Sequence, residues 1–188
     1  MFDRDAVKHL GRPTGMPFRI GKLGHVVVNV RDVARSVQFY TQILGFEISD
    51  LYPEEMVPGG MAFLRCNPDH HGIALVGGMP GAAENVELNH IAFEVATLDE
   101  VIRARDHLAQ HGVTIDFAGR RRAGCQIAVE FRDPDNHRLE IYWGIDQIGS
   151  PGTARPAEEW KGVRSLEQAI ADPVRGQDTS LHDLSLKP

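Results

Sequence analysis

The sequence predicts an α+β protein built from two βαβββ repeats, whose eight strands form one curved mixed sheet with the helices outside. The same apolar stretch with an internal histidine occurs at residues 23–30 and again at 88–95. Each copy leads into a helical pattern and then into three short strand patterns. A repeat of about 50–60 residues leaves one sheet face uncovered, so each unit must pack on its twin.

The first repeat, residues 21–80, follows a predicted N-terminal arm at 1–20 that contains several glycines and prolines. Asp32 is a suitable N-cap for a helix over 33–44, where apolar residues recur at helical spacing. Gly45 is a natural end for that helix. Strands are predicted after it at 46–51, 61–66 and 72–76.

The second repeat, residues 85–146, has the same order. Its first strand covers 87–95, and a helix with acidic residues in its first turn runs from Leu98 to His111. Strands are predicted next at 113–117, 126–131 and 137–143, with a basic loop at 120–124 and a turn at 133–136.

The tail, residues 147–188, departs from the repeat pattern because prolines and glycines interrupt it. One short helix is predicted from Ser165, which has capping-box form with Gln168 and precedes an apolar stripe. This helix and Trp160 favour an ordered tail that packs on the sheet or on a neighbouring subunit.

Composition and charge argue against several classes of partner. The chain has 188 residues, of which 42% are hydrophobic and 24% charged, as in ordinary soluble domains. A net charge of −6 gives no electrostatic reason to expect nucleic acid or an anionic membrane. No apolar run approaches the ~18–20 residues of a membrane span. The charged N-terminus lacks a signal-peptide core, and two cysteines are no disulfide framework, so a cytoplasmic location is expected.

Three polar residues interrupt apolar strand patterns: His25, His90 and Glu140. A lone histidine in such a strand is more often a satisfied core residue than a ligand. His25 and His90 hold equivalent places 65 residues apart, however, and pairing of the repeats would bring their strands side by side. A buried carboxylate at Glu140 is costly unless it is paired or metal-bound. Two imidazoles and one carboxylate are the ligand set of non-haem iron(II) oxygenases, so we predict that the three residues bind one divalent metal.

The repeat and these three residues resemble the vicinal oxygen chelate superfamily, and within it the ring-cleaving extradiol catechol dioxygenases. The resemblance covers roughly residues 21–146. The segment 131–142, which reads Phe-Arg-Asp-Pro-Asp-Asn-His-Arg-Leu-Glu-Ile-Tyr, is very similar to the corresponding segment of homoprotocatechuate-type enzymes. The resemblance implies cleavage of an aromatic diol by dioxygen on iron(II) or manganese(II). It also implies a homodimer or a larger assembly.

The resemblance further implies a catalytic role for His71, which lies in a His-x-x-Ala stretch with His70 beside it. The matching histidine of the family is an acid–base and oxygen-binding residue, and imidazole has a suitable pKa for such work near neutral pH. The alternative interpretation is a solvated pair of loop residues.

Two positions depart from the family pattern. Arg121 stands where the family has a histidine that contacts the substrate, and Glu130 stands where it has a tyrosine. We expect these two residues to form an ion pair and to line the substrate site. Tyr142 is a further candidate for substrate binding, although an aromatic residue in this strand is more often part of the core.

Two other functions remain open at this stage. A non-redox enzyme on the same metal triad, such as a glyoxalase-like lyase or isomerase or a fosfomycin-type thiol transferase, would chelate vicinal oxygens without dioxygen. A ligand-sequestering protein of the bleomycin-resistance type lacks the triad, so an intact triad argues against it.

Overall fold

The computed structural model describes residues 3, 14, 22–148 and 154–186. The first repeat contains β1 (Val26–Asn29), α1 (Val33–Gln38), a π-helical turn (Phe39–Ile43), β2 (Glu47–Tyr52), β3 (Met61–Arg65) and β4 (Ile73–Val76). The second contains β5 (Ile91–Glu94), α2 (Leu98–Gln110), β6 (Ile115–Arg120), β7 (Ile127–Arg132) and β8 (Arg138–Trp143). The tail adds a 3-10 turn (Ala157–Glu159) and α3 (Leu166–Ala171). The predicted arm at 1–20 lies outside the described residues, apart from Asp3 and Thr14.

The eight strands form two sheets of four, in the orders β1-β4-β3-β2 and β5-β8-β7-β6. In each sheet the first strand of the repeat runs parallel to the last, and the other pairs are antiparallel. The α+β class and the two repeats are therefore confirmed. One continuous eight-stranded sheet is not formed within the described chain, because β1 and β5 are outer strands of separate sheets.

The linker between the repeats contacts both of them before β5 begins. The amide of Met79 donates to the carbonyl of Val30 at the end of β1 (3.0 Å). The amide of Ala83 then donates to the carbonyl of Asp135, in the turn between β7 and β8 (2.8 Å). The chain thus follows the end of β1, crosses to the second repeat and only then begins β5. No described helix is long and apolar enough to cross a membrane.

The first helix is shorter than the sequence predicts. Asp32 caps it as expected, since its carboxylate accepts from the amide of Arg35 (3.0 Å). After Gln38 the helix widens, and the amide of Leu44 donates to the carbonyl of Phe39, five residues back. The Thr41 hydroxyl also donates to the Val37 carbonyl (2.8 Å), a bond that competes with the regular α-helical pattern.

The second helix, α2, is the main apolar cover of the second sheet. Val101, Ile102 and Leu108 on one side of it are almost completely buried. A capping box, which was not predicted, fixes the start of this helix. The Thr97 hydroxyl accepts from the amide of Glu100, and the Glu100 carboxylate accepts from the amide of Thr97. The helix leaves the opposite face of the sheet uncovered.

A buried carboxylate joins the two repeats. The side chain of Asp135, in the turn between β7 and β8, is 0% exposed. It accepts hydrogen bonds from Arg31 Nε (2.6 Å), from an Nη atom of Arg35 (2.6 Å) and from the hydroxyl of Ser36 (2.9 Å). Burial by itself raises the pKa of this carboxyl, but the bonds from Arg31, Ser36 and Arg35 outweigh it and hold the pKa below its usual range.

A second buried carboxylate, Asp133, extends this contact. It accepts from the hydroxyl of Tyr40 (3.2 Å) and from Nδ1 of His137 (2.9 Å). Burial, with the neighbouring charge of Asp133, raises the pKa of the Tyr40 phenol, so Tyr40 remains a neutral donor. Hydrogen-bonded charged and polar residues therefore join the repeats, beside the apolar contact of Phe46 with Phe93 (5.5 Å between ring centroids).

The tail packs on the second repeat of its own chain. Arg120, placed in a basic loop by the sequence, instead ends β6 and is 1% exposed. Its guanidinium donates to the carbonyls of Ala169 and Asp172 at the end of α3. Val163 pairs with Arg120 through two backbone hydrogen bonds, so the tail covers the outer edge of β6. The predicted helix is confirmed, because the Ser165 hydroxyl accepts from the amide of Gln168.

The substitution Asp135→Asn tests the contact between the repeats. Because the folded-state pKa of Asp135 is depressed, its contribution to stability is complete above the usual aspartate pKa of about 4 and is lost as pH falls through the folded value. We expect Asp135→Asn to lower the free energy of unfolding at pH 7 by about 1–3 kcal/mol, since both arginines are partly exposed.

Urea unfolding of both proteins at several pH values measures this effect. The difference between wild type and variant should shrink from pH 5 to pH 2. Asp116→Asn is the matched control, because its ion pair with Arg132 lies at the surface and contributes less than about 1 kcal/mol. A constant difference across the range would contradict the assignment.

Candidate functional site

Two of the three predicted ligands lie together on the face of the second sheet that α2 does not cover, called here the helix-free face. His90 directly precedes β5, and Ala92 in that strand pairs with Glu140 in β8. His90 Nε2 lies 3.4 Å from Glu140 Oε2. Glu140 is 1% exposed, whereas the His90 side chain is 42% exposed. Strand alternation explains the placement, since Leu139 and Ile141 face the core.

The hydrogen bonds around this pair suit a cation ligand. His90 Nδ1 lies 2.9 Å from the side-chain oxygen of Asn89, and the other ring nitrogen, Nε2, is the one nearer to Glu140. Two adjacent ligand atoms at ~2.0–2.2 Å from one ion, in octahedral or tetrahedral geometry, are about 2.8–3.6 Å apart. The observed separation between His90 and Glu140 fits that range.

Few hydrogen bonds compensate for the burial of the Glu140 carboxylate. Gln126 donates to its Oε1 at 3.4 Å, a long bond, and the buried oxygen of Gln126 has no hydrogen-bond partner among the described residues. Burial raises the pKa of Glu140; the bond from Gln126 opposes this rise, and the charge of Glu130 adds to it. A buried carboxylate with so few donors requires a proton or a cation.

The third predicted ligand lies in the first repeat with both histidines of the 67–71 loop. The ring centroids of His25 and His71 are 4.5 Å apart. Nδ1 of His71 lies 2.9 Å from Nδ1 of His70, and the ring of Phe63 contacts both. Burial lowers the pKa of His71, and charges on His25 and His70 would lower it further. His71 therefore favours its neutral form.

The described residues contain no group of three or more His, Cys, Asp or Glu side chains arranged to hold a metal. The structure brings together His90 with Glu140, and His25 with His71, but it does not unite His25 with the first pair. The expected side-by-side placement of their strands is wrong within this chain, because β1 and β5 belong to different sheets. That all three bind one ion remains a prediction.

The predicted ion pair between Arg121 and Glu130 is confirmed. Arg121 Nε donates to Glu130 Oε1 at 2.6 Å, and an Nη atom contacts the same oxygen. The guanidinium carbon lies 3.9 Å from the ring centroid of Phe117. Glu130 is the cross-strand partner of Glu140, so the ion pair adjoins the His90–Glu140 pair on the helix-free face.

The site also contains one further residue that the sequence predicts, Tyr142, and three that it does not. Tyr142 lies two residues after Glu140 and is partly buried; burial, with the charges of Glu94 and Glu140, raises the pKa of its phenol. Asn89, Gln126 and Phe117 contact the site residues but were not predicted. The polar side chain of Gln126 before an apolar strand was the available signal for one of them.

Sequence comparison places the chain in a known family. Residues 22–141, nearly two thirds of the chain, match the model of the Glyoxalase/Bleomycin resistance protein/Dioxygenase superfamily. The chain belongs to this superfamily. The predicted resemblance to the vicinal oxygen chelate proteins is therefore confirmed.

Several curated members of the superfamily are similar in sequence. "Biphenyl-2,3-diol 1,2-dioxygenase" of Metapseudomonas furukawaii is 31% identical over 130 residues, covering 67% of this chain and 41% of that protein. "Iron-dependent extradiol dioxygenase" of Rhodococcus jostii is 35% identical over 141 residues, covering 69% and 46%. "Manganese-dependent 2,3-dihydroxybiphenyl 1,2-dioxygenase" of Geobacillus genomosp. 3 is 28% identical over 140 residues, covering 72% and 41%. The chain spans less than half the length of these relatives.

A solved member of the superfamily shows the same fold. The fosfomycin resistance protein FosX from Listeria monocytogenes has a TM-score of 0.52 and 23% sequence identity, and the match covers 67% of this chain and 95% of that one. This structural likeness extends to the βαβββ repeats and carries no information on substrate.

Proposed function

We propose that this member of the superfamily is a divalent-metal extradiol dioxygenase that cleaves the ring of an aromatic diol. The observation that carries the proposal is the His90–Glu140 pair, in which an imidazole nitrogen lies 3.4 Å from an oxygen of a buried carboxylate. The sequence relatives named as iron- and manganese-dependent extradiol dioxygenases support iron(II) or manganese(II) as the ion. Such a metal, when bound, holds diol and dioxygen at adjacent positions and supplies the redox chemistry.

A second copy of the chain supplies His25 in this proposal. The outer edges of β1 and β5 are unpaired in the described chain, and an unpaired edge can form hydrogen bonds with another chain. Exposed apolar residues flank the histidines: Leu23 (82% exposed) and Val27 (49%) beside His25, and Leu88 (44%) beside His90. Joining β1 of one copy to β5 of another covers these residues. Twofold symmetry then makes two identical sites per dimer.

The protein's own side chains bind and protonate the substrate. His71, held neutral beside His25, accepts a proton from the diol and returns it at the ring, with His70 as its hydrogen-bond partner. Arg121, Glu130 and Tyr142 line the helix-free face around Glu140 and orient the ring. The apolar ring of Phe117 restricts water on the side of β6.

A second candidate function is a non-redox reaction on the same metal pair. Glu130, opposite Glu140, places an additional carboxylate where a general base for proton transfer would act. Dioxygen consumption separates the two functions, because only ring cleavage requires it.

Substitution of the ligands tests the metal site itself. We expect His90→Ala, Glu140→Gln and His25→Ala each to lose tight binding of iron(II) or manganese(II), measured as metal per chain after anaerobic loading and gel filtration. His111→Ala is the control, since this exposed residue lies at the end of α2. Stoichiometric metal in all three ligand variants would refute the site.

Mixed dimers test whether two chains share each site. His25→Ala and His90→Ala are co-expressed with different tags, and dimers that carry both tags are purified. One site in each mixed dimer then contains an intact His25, His90 and Glu140, so about half of the wild-type metal content returns. If every site belonged to one chain, mixing would restore none.

A panel of diols tests the reaction. Protein loaded anaerobically with iron(II), and separately with manganese(II), is mixed with catechols and dioxygen. We expect one dioxygen consumed per diol and a yellow ring-opened product, and His71→Ala should lose at least about tenfold in kcat while it retains metal. Metal-loaded protein that consumes no dioxygen with any diol would exclude the dioxygenase and favour the non-redox function.

A further inference from the structure

We propose that the substrate carries a carboxylate, or an anionic group of similar shape, and that Arg121 binds this group. The inference rests on the proposed function for the position of the diol. It goes beyond it because it assigns the charge of the substrate from the residues that surround Glu140.

Arg121 lies at the right distance from the His90–Glu140 pair. Phe117 in β6, Glu130 in β7 and Glu140 in β8 form a row across the helix-free face. Neighbouring strands are about 4.8 Å apart, and the guanidinium contacts Glu130 and stacks on Phe117, so it lies one to two strand spacings, about 5–10 Å, from Glu140. A ring held near Glu140 can therefore reach Arg121 with a substituent on its far side.

The guanidinium of Arg121 is held in one orientation, but some of its N–H groups form no hydrogen bond with the described residues. It stacks on Phe117, and its Nε and one Nη atom both contact a single oxygen of Glu130. The other Nη atom has no hydrogen-bond partner among the described residues. An arginine that is fixed in orientation and has free N–H groups is well suited to bind a carboxylate.

Exposure decides which member of the ion pair meets the ligand. The Arg121 side chain is 43% exposed and that of Glu130 is 18% exposed. Glu130 already accepts both contacts from Arg121 and adjoins Glu140, whose negative charge disfavours a further anion near it. The accessible end of the pair is therefore the cation, which selects an anionic group over a cationic one.

Paired ligands of equal shape and different charge test this assignment. Metal-loaded protein, kept anaerobic, is titrated by calorimetry with 3,4-dihydroxybenzoate and with 3,4-dihydroxybenzamide. We expect the acid to bind about 3–10-fold more tightly than the amide, as for one partly exposed charge-assisted hydrogen bond. Arg121→Met, which keeps an apolar side chain over Phe117, should reduce the ratio to one or below.

Two further variants make the test specific. Glu130→Gln removes the competing carboxylate and keeps a hydrogen-bond acceptor, so the preference for the acid should increase. Arg122→Met is the matched control: this exposed neighbour packs against Gly162 of the tail, and its loss should leave the ratio unchanged. Equal binding of acid and amide to the wild type, or an unchanged ratio in Arg121→Met, would overturn the proposal.

Benzoate and benzamide, which cannot chelate, separate this inference from the proposed function. They are titrated into protein without added metal, so the result does not depend on metal binding or on oxygen chemistry. A preference for benzoate that disappears in Arg121→Met supports the anion site even if no diol is cleaved. No preference for benzoate would overturn the anion site even if the diols are cleaved.

Discussion

The buried contact of Asp135 with Arg31 and Arg35 constrains the relative placement of the two repeats, together with the apolar core that they share. It joins the loop after β1 and the start of α1 to the turn between β7 and β8. A buried carboxylate that loses its partners is strongly destabilising, so this contact tolerates little displacement. The neighbouring bonds of Asp133 to Tyr40 and His137 extend this contact.

One consequence concerns the histidines. In the arrangement that Asp135 stabilises, His25 contacts His71, whereas His90 contacts Glu140. Each repeat thus presents part of the proposed metal site on a sheet face without a helix, beside an outer strand. The repeats are similar, and the same face of each is available to a second copy of the chain.

Charge balance on the helix-free face follows from the strand register. Glu130 and Glu140 are direct neighbours in an antiparallel pair, where like charges are destabilising. Arg121 neutralises Glu130, but Glu140 has only the long bond from Gln126 and the nearby imidazole of His90. The remaining negative charge is the physical reason to expect a cation at Glu140. Because Arg121 keeps unused N–H groups, the same face can accept an anionic substituent.

Local patterns predicted the elements well, and long-range contacts account for the errors. The strands at 126–131 and 137–143 were predicted within about one residue, since this needs only the local strand pattern. Arg120 was mistaken for a loop residue, because its burial depends on carbonyls of α3 about 50 residues later. The π-helical turn after Gln38 was missed because α and π turns bury similar residues.

The sequence by itself determined the two βαβββ repeats, the pairing of Arg121 with Glu130 and the presence of a histidine before the first strand of each repeat. The repeats and the histidines follow from local periodicity, whereas the pairing of Arg121 with Glu130 was expected because both residues depart from the pattern of the family that the sequence resembles. Only the tertiary structure decided that β1 and β5 are outer strands of separate sheets, and that His90 meets Glu140 while His25 meets His71. The reason is that the placement of the repeats depends on the linker and on the buried Asp135 contact, between residues about 100 positions apart, which no local pattern encodes.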